Sequence, residues 1–297
     1  MFIKHLGEYL VSKNYLTKDQ FDNIIEEQTK SRVKLGLIAV SEKMLTTAQA
    51  DRINMLQATM DKRFGDIAVE QGFLTNEQVS TLLSLQGNSY LKFIQTVIDK
   101  GYLKLEDIDD VVNSFKKEKG YSYEDIEALK SGDIDRIINI FVKTDNEYYD
   151  SYFAIMIRNI NRFISTDISF GSPYVCKEIK NDCIASQCLK GDHDVFVSIG
   201  ADNKDLLVVA DAYAKEEFED VDEDAYDSVC EFINCVNGLF ASKLSTSDID
   251  IDMLPPVFFN NSIIKTNDSY YVQPVTICNK QINVIVGIDS AIFIEEA

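Results

Sequence analysis

Proline is missing from the first 172 residues: Pro173, Pro255, Pro256 and Pro274 are the four in the chain, and all lie beyond them. A stretch that long without its strongest helix breaker is consistent with an all-helical first half. Cysteine is equally one-sided, with Cys176, Cys183, Cys188, Cys230, Cys235 and Cys278 forming no CxxC pair and having only His193 nearby. That pattern argues against a zinc or disulfide framework, so the cysteines read as small core residues and reduced surface thiols, with Cys235 the one to test for reactivity. No segment approaches about eighteen uninterrupted apolar residues, and the opening MFIKHLGEYLVSK has no apolar stretch leading to a cleavage site. The expectation is a cytoplasmic protein with no membrane insertion.

Positive charge is scarce as well. Lys and Arg number 29 against 49 Asp and Glu, a net charge of −20, which argues against nucleic acid or an anionic membrane as the main partner. The deficit is concentrated: residues 1–143 hold 19 basic and 22 acidic side chains, whereas 144–297 hold 10 and 27. Such asymmetry favours two domains of different character.

What the first half does contain is a repeat. Residues 5–28, 34–57 and 63–86 align as three 24-residue blocks at a constant offset of 29. Gly7, Gly36 and Gly65 coincide, as do Leu16, Leu45 and Leu74, and Gln28, Gln57 and Gln86. Each block carries T-x-x-Q, at Thr17/Gln20, Thr46/Gln49 and Thr75/Gln78, a capping-box pattern that starts a helix. Each unit therefore reads as a short helix, a turn at Asn14, Lys43 or Gly72, and a second helix. A worn fourth copy follows with Gly101, Leu103 and Ile108, and Ser122 and Ser131 are placed to cap further helices.

Beyond residue 144 the pattern changes. Residues 150–164 suit an apolar-faced helix, while 195–200, 205–210, 270–277 and 282–288 are β-rich runs bounded by turn signals. The expected fold class is α+β: a helical repeat domain over 1–120, a helical linker over 121–144, and a domain over 145–297 with two long helices packed on a mostly antiparallel sheet. Between the second and third of those runs, the acidic stretch 216–224 leads into a further helix, whose N-terminal dipole those acids suit. At about 100° per residue, that helix places Asp227, Glu231, Asn234 and Gly238 on one stripe, with Val229, Ile233, Val236 and Phe240 opposite. Spacing alone would leave the polar stripe a solvated face.

Its surroundings add to that reading. D-x-x-x-E-x-x-N at Asp227, Glu231 and Asn234, followed at a distance by Pro256 behind Pro255, resembles the signature of the CheX/CheC/FliY chemotaxis phosphatases, and residues 145–292 resemble the single-site CheX type. The helix over 150–164 lacks an E-x-x-N of its own, so one site is expected. The resemblance implies hydrolysis of the aspartyl-phosphate on a CheY-like receiver domain. Asn234 would orient the attacking water and Glu231 would pair with the receiver's lysine, while Asp227, Gly238 and Pro256 serve docking or shape the neighbouring loop. The implied Mg²⁺ sits on the receiver, so no metal site or cofactor is expected in this chain. CheX relatives dimerise, and a strand such as 282–288 is a candidate for pairing across a two-fold axis.

The repeats resemble the MshEN domain of type II secretion and pilus ATPases, some members of which bind cyclic di-GMP. By that resemblance, His5, Lys34 and Arg63 with Gly7, Gly36 and Gly65 are candidate ligand-binding positions. Only the third block keeps the family's arginine, and the spacing differs, so a helical interaction module stands beside the nucleotide reading. Two functions follow for the whole chain: a receiver phosphatase carrying a localising or regulatory module, or a non-catalytic dimeric adaptor that binds a receiver.

Overall fold

The computed structural model describes residues 1–28, 32–57, 59, 60 and 62–297. The chain divides into two compact units, Met1–Asp133 and Ile134–Ala297.

The first unit is helical among the described residues. Its repeats become helix pairs: α1 (Phe2–Ser12) with α2 (Lys18–Gln28), α3 (Leu35–Ser41) with α4 (Thr47–Gln57), and α5 (Phe64–Glu70) with α6 (Asn76–Ser84). The three capping boxes share one geometry. In each, the glutamine Oε1 accepts from the threonine N–H at 2.8 Å, and the threonine Oγ1 accepts from the glutamine N–H at 3.2 Å. Asn14, Lys43 and Gly72 turn each pair with φ of 60°, 56° and 71°. The worn fourth copy is the pair α7 (Ser89–Asp99) and α8 (Leu105–Lys119), turned at Gly101. Ser122 caps α9 (Tyr123–Ser131), but Ser131 ends that helix and donates its hydroxyl to Ala128 O instead of starting another.

The repeated glycines are packing positions. A Cβ on Gly7 would lie 1.9 Å from Phe21 Cε2, and one on Gly65 would lie 2.8 Å from Val79 Cγ1. In the first and third pairs the first helix thus lets a side chain of the second reach its backbone, whereas at Gly36 the close neighbour is Phe64 of the next repeat; Leu16, Leu45 and Leu74 are buried.

The second unit opens with α10 (Ile134–Phe141) and α11 (Glu147–Asn159), the latter continued by a π-helical turn over Ile160–Ile164. Its sheet comprises β1 (Ile168–Phe170), β2 (Tyr174–Gly191), β3 (Val195–Ala201), β4 (Ile251–Met253), β5 (Val257–Ile277), β6 (Lys280–Ile288) and β7 (Ile292–Glu296). Every strand pairing is antiparallel. Because β5 pairs β6 through its second half and β2 through most of its length, the ladder closes as β2–β3–β6–β5 and back to β2. Ile184, Phe196, Ile264, Tyr270, Val272 and Ile285 form one buried cluster of this sheet. On its other side Val197, Ile199 and Val284 join a core with the helices.

Two expectations are corrected. Residues 205–210 are not a strand: Leu207–Ala214 form α12, which buries Val209 and Ala210 and lies against α13 (Glu223–Ser245). A short apolar run does not distinguish strand from buried helix, and Ala210, Ala212 and Ala214 favour the helix here. Nor can 282–288 pair across a two-fold axis. That strand, β6, is hydrogen-bonded to β3 on one side and β5 on the other, so it has no free edge.

Candidate active site

The polar stripe stands on α13, the longest helix of the second unit. Asp222 caps it by accepting from Ala225 N–H at 3.0 Å, and Glu223 and Asp224 occupy the first turn, where negative charge suits the helix dipole. The acidic lead-in is held by Lys204, which donates to Glu219 O at 2.7 Å and pairs with Asp220. Tyr226, Val229, Phe232, Ile233, Val236, Phe240 and Leu244 are buried, whereas Asp227, Glu231 and Asn234 are exposed. Tyr152 of α11 meets the Phe240 ring edge-on at 5.1 Å, and Tyr213 of α12 meets Phe232 at 5.4 Å. The helix therefore rolls its apolar side inward and leaves the carboxylates and carboxamide outside.

Opposite the stripe runs the Pro-Pro segment. β4 and β5 pair along the same edge of β2, with Leu189 opposite Met253 and Ser186 opposite Val257. Between those pairs, Leu254, Pro255 and Pro256 stand across from Gln187 and Cys188. Two successive prolines have no N–H to give the ladder, so the strand breaks there and one extra residue bulges out. Tyr226 pins the far side of the break: its ring stacks on Phe258 with centroids 4.4 Å apart, and its hydroxyl donates to Asn260 Oδ1 at 2.6 Å.

Helix and broken strand enclose an open groove of about 440 Å³ lined by Asp227, Cys230, Glu231, Asn234, Met253, Leu254, Pro255 and Pro256. Four of the positions singled out in the sequence thus meet on one surface, Pro256 with Asp227, Glu231 and Asn234. Gly238, a turn further on, is outside that lining; a Cβ there would touch only Met253 Cε, at an ordinary 3.8 Å. Cys230 is buried beneath the groove, and burial with the nearby Asp227 charge pushes its thiol up to about 11. Cys235 is exposed and neighbours Tyr213, whose phenol is raised by burial and then by Cys235 and Glu231.

Sequence reasoning missed the floor of the groove. Gln187 Nε2 donates to both Asn234 Oδ1 and Leu254 O, each at 2.8 Å. Behind it, Asn237 Nδ2 donates to Gln187 Oε1 at 2.8 Å, and Tyr152 donates its hydroxyl to Asn237 Oδ1 at 2.7 Å. Gln187 is 1% exposed, and Asn237 and Tyr152 are fully covered. The available signal was a carboxamide in the apolar run CIASQCL, together with a second asparagine three residues after Asn234.

Among the candidate positions of the helical unit, Lys34 and the three glycines have structural partners. Lys34 Nζ pairs with Asp99 at 2.7 Å, while the Lys34 backbone N–H donates to Gln95 Oε1 at 3.1 Å. Arg63 is exposed at the start of α5, and His5 lies in α1, its pKa lowered by burial. Gly7, Gly36 and Gly65 pack against Phe21, Phe64 and Val79. Two of the aligned glutamines hold the segments between the repeats, Gln57 donating to Lys62 O at 3.2 Å and Gln86 to Val33 O at 3.0 Å. Among the described residues no cluster of three or more His, Cys, Asp and Glu side chains is arranged to hold a metal ion, and no helix is long and apolar enough to cross a membrane.

Residues 183–278, which include the groove's entire lining, match the family model described as "Chemotaxis phosphatase CheX". That segment is similar to the CheX family. Similar solved structures include the chemotaxis protein CheX from Desulfovibrio desulfuricans, 18% identical over 48% of this chain and 99% of that one, with a TM-score of 0.43. CheX from Vibrio vulnificus is 19% identical over 48% and 99%, with a TM-score of 0.42. A chain of the CheX–CheY–BeF3–Mg²⁺ complex from Borrelia burgdorferi is 20% identical over 50% and 98%, with a TM-score of 0.39. A search of curated proteins finds no match.

Proposed function

We propose that the second unit hydrolyses the aspartyl-phosphate of a CheY-like receiver domain, and that the helical repeats localise or regulate it. The observation that carries this reading is the exposure of Glu231 and Asn234 side by side in one groove, within the segment that matches the phosphatase family.

An acyl phosphate is already activated, so the chain needs to supply position more than reactive groups. The Asn234 carboxamide holds a water in line with phosphorus. Water oxygen forms the new bond to phosphorus as the bond to the aspartyl oxygen breaks; the products are inorganic phosphate and the free carboxylate. Glu231 pairs with a lysine of the receiver and sets the docking angle, while Asp227 and Pro256 border the docked surface. The receiver carries its own Mg²⁺ and contributes the neutralising charge.

The test is the decay of a phosphorylated CheY-like receiver with wild type, Asn234→Ala and Glu231→Ala. The asparagine change is expected to lower turnover by about 10²–10³-fold while sparing binding, the scale of losing one oriented donor. The glutamate change is expected mainly to raise KM. Wild type that binds the receiver without hastening its decay would replace the enzyme reading with the adaptor.

A further inference from the structure

The relay beneath the groove has a direction, and one backbone atom sets it. Leu254 O accepts hydrogen bonds and never donates, so the Gln187 atom 2.8 Å away is the amide nitrogen. That nitrogen has a second hydrogen, which points at Asn234 and requires the Asn234 oxygen to face it. The opposite end of Gln187 is then an acceptor, so Asn237 presents nitrogen to it and oxygen to Tyr152. Burial raises the Tyr152 phenol well above its ordinary value, which keeps the hydroxyl proton in place to donate. Turning any one carboxamide over would set donor against donor or acceptor against acceptor at a buried contact.

From this polarity we infer that Gln187, backed by Asn237 and Tyr152, is a positioning residue that fixes the carboxamide of Asn234 with its N–H₂ toward the groove. The inference rests on the phosphatase reading for its catalytic meaning. Asn234 Oδ1 is engaged from below, and no protein group among the described residues takes up Nδ2, so the amide hydrogens remain for the docked water or phosphoryl oxygen. One lone pair of Oδ1 stays available to accept from the water. The same Gln187 nitrogen holds Leu254 in the broken strand, so one side chain sets the spacing of both walls of the groove.

Two measurements separate this inference from the reading beneath it. The first is a double-mutant cycle in the receiver dephosphorylation assay with Gln187→Met, which keeps volume and removes every hydrogen bond. A roughly tenfold to hundredfold fall in kcat with KM changed less than about twofold is expected. In an Asn234→Ala background the same change is expected to cost nothing more, because Gln187 acts through Asn234. Tyr152→Phe, which removes only the terminal donor, guards against loss of folding and is expected to give a smaller fall in kcat. Folded Gln187→Met and Tyr152→Phe proteins with wild-type kcat, or an undiminished Gln187→Met effect in the Asn234→Ala background, would overturn the inference.

The second measurement does not depend on turnover. In ¹H–¹⁵N spectra of the full chain, both Gln187 side-chain amide protons are expected to be protected from hydrogen exchange, and those of Asn234 to exchange rapidly. The reverse pattern overturns the relay. A wild type that shows the protection pattern yet fails to hasten dephosphorylation sinks the phosphatase reading and leaves the relay standing as structure.

Discussion

Tyr152 donates its hydroxyl to Asn237 Oδ1 at 2.7 Å in a place where neither side chain meets solvent. Removing the hydroxyl while keeping the ring strands a buried carbonyl oxygen. Tyr152→Phe is therefore expected to destabilise the second unit by about 1–3 kcal/mol, the cost of an unmet buried acceptor. Calorimetry would register this as a lower transition temperature for that unit, and an unchanged transition would mean that the oxygen finds another donor.

The repeats make a different prediction. A Cβ at Gly7 has nowhere to go, since the Phe21 ring that would meet it is itself buried. Gly7→Ala is expected to cost about 1–3 kcal/mol through overpacking. Gly36→Ala, where the nearest atom would stand 3.1 Å away, is expected to cost less. Urea unfolding of the two variants ranks them, and equal midpoints would show that Phe21 moves aside freely.

Asp289 sets an acid limit on one corner of the second unit. Burial alone would push its carboxyl up, but hydrogen bonds from the Asp194 N–H at 2.9 Å and from His193 at 2.7 Å outweigh that, and the carboxyl is held below its ordinary value of 3.8. A depressed pKa favours the folded state above the unfolded value, and the benefit is lost as pH falls through the folded one. The stability gap between wild type and Asp289→Asn should therefore be present at about pH 5 and close as pH falls below about 4. Because Asp289 is largely exposed, the gap is expected to stay under about 1 kcal/mol. A gap that fails to close between about pH 4 and about pH 2 would contradict the assignment.

Thiol labelling distinguishes the cysteines. Cys235 and Cys278 are exposed, whereas Cys183 and Cys230 are buried with their thiols pushed up by that burial. Alkylation of the native chain at about pH 8, read by peptide mass spectrometry, should mark Cys235 and Cys278 first and leave Cys183 and Cys230 unmarked until denaturation. Early labelling of Cys230 would show that the groove opens to its floor.

Local rules recovered much of the architecture. The three capping boxes, the turns at Asn14, Lys43 and Gly72, and the inward stripe of α13 depend on residues within one or two helical turns, so their patterns were readable directly. Residues 205–210 read as strand in the sequence because Val208 and Val209 favour it locally, whereas packing against α13 settles 207–210 as helix. Most of β2 and the first half of β5 are not legible locally: the middle of β2 is covered on both faces, which blurs its alternation, the start of β2 and the first half of β5 lie largely exposed, and their pairing joins residues far apart in sequence.

The groove shows the same division. Asp227, Glu231 and Asn234 lie along one face of a single helix, so helical periodicity alone determined that they would share a side, and the Pro-Pro pair marked a break in whatever strand it joined. Only the tertiary structure decided that the break would stand opposite that face and that Gln187, 47 residues before Asn234, would lie between them. A hydrogen bond between distant side chains has no period in the sequence. It exists because β2 carries Gln187 under α13, where a buried carboxamide must find partners, and the partners within reach are Asn234, Asn237 and the carbonyl left over at Leu254.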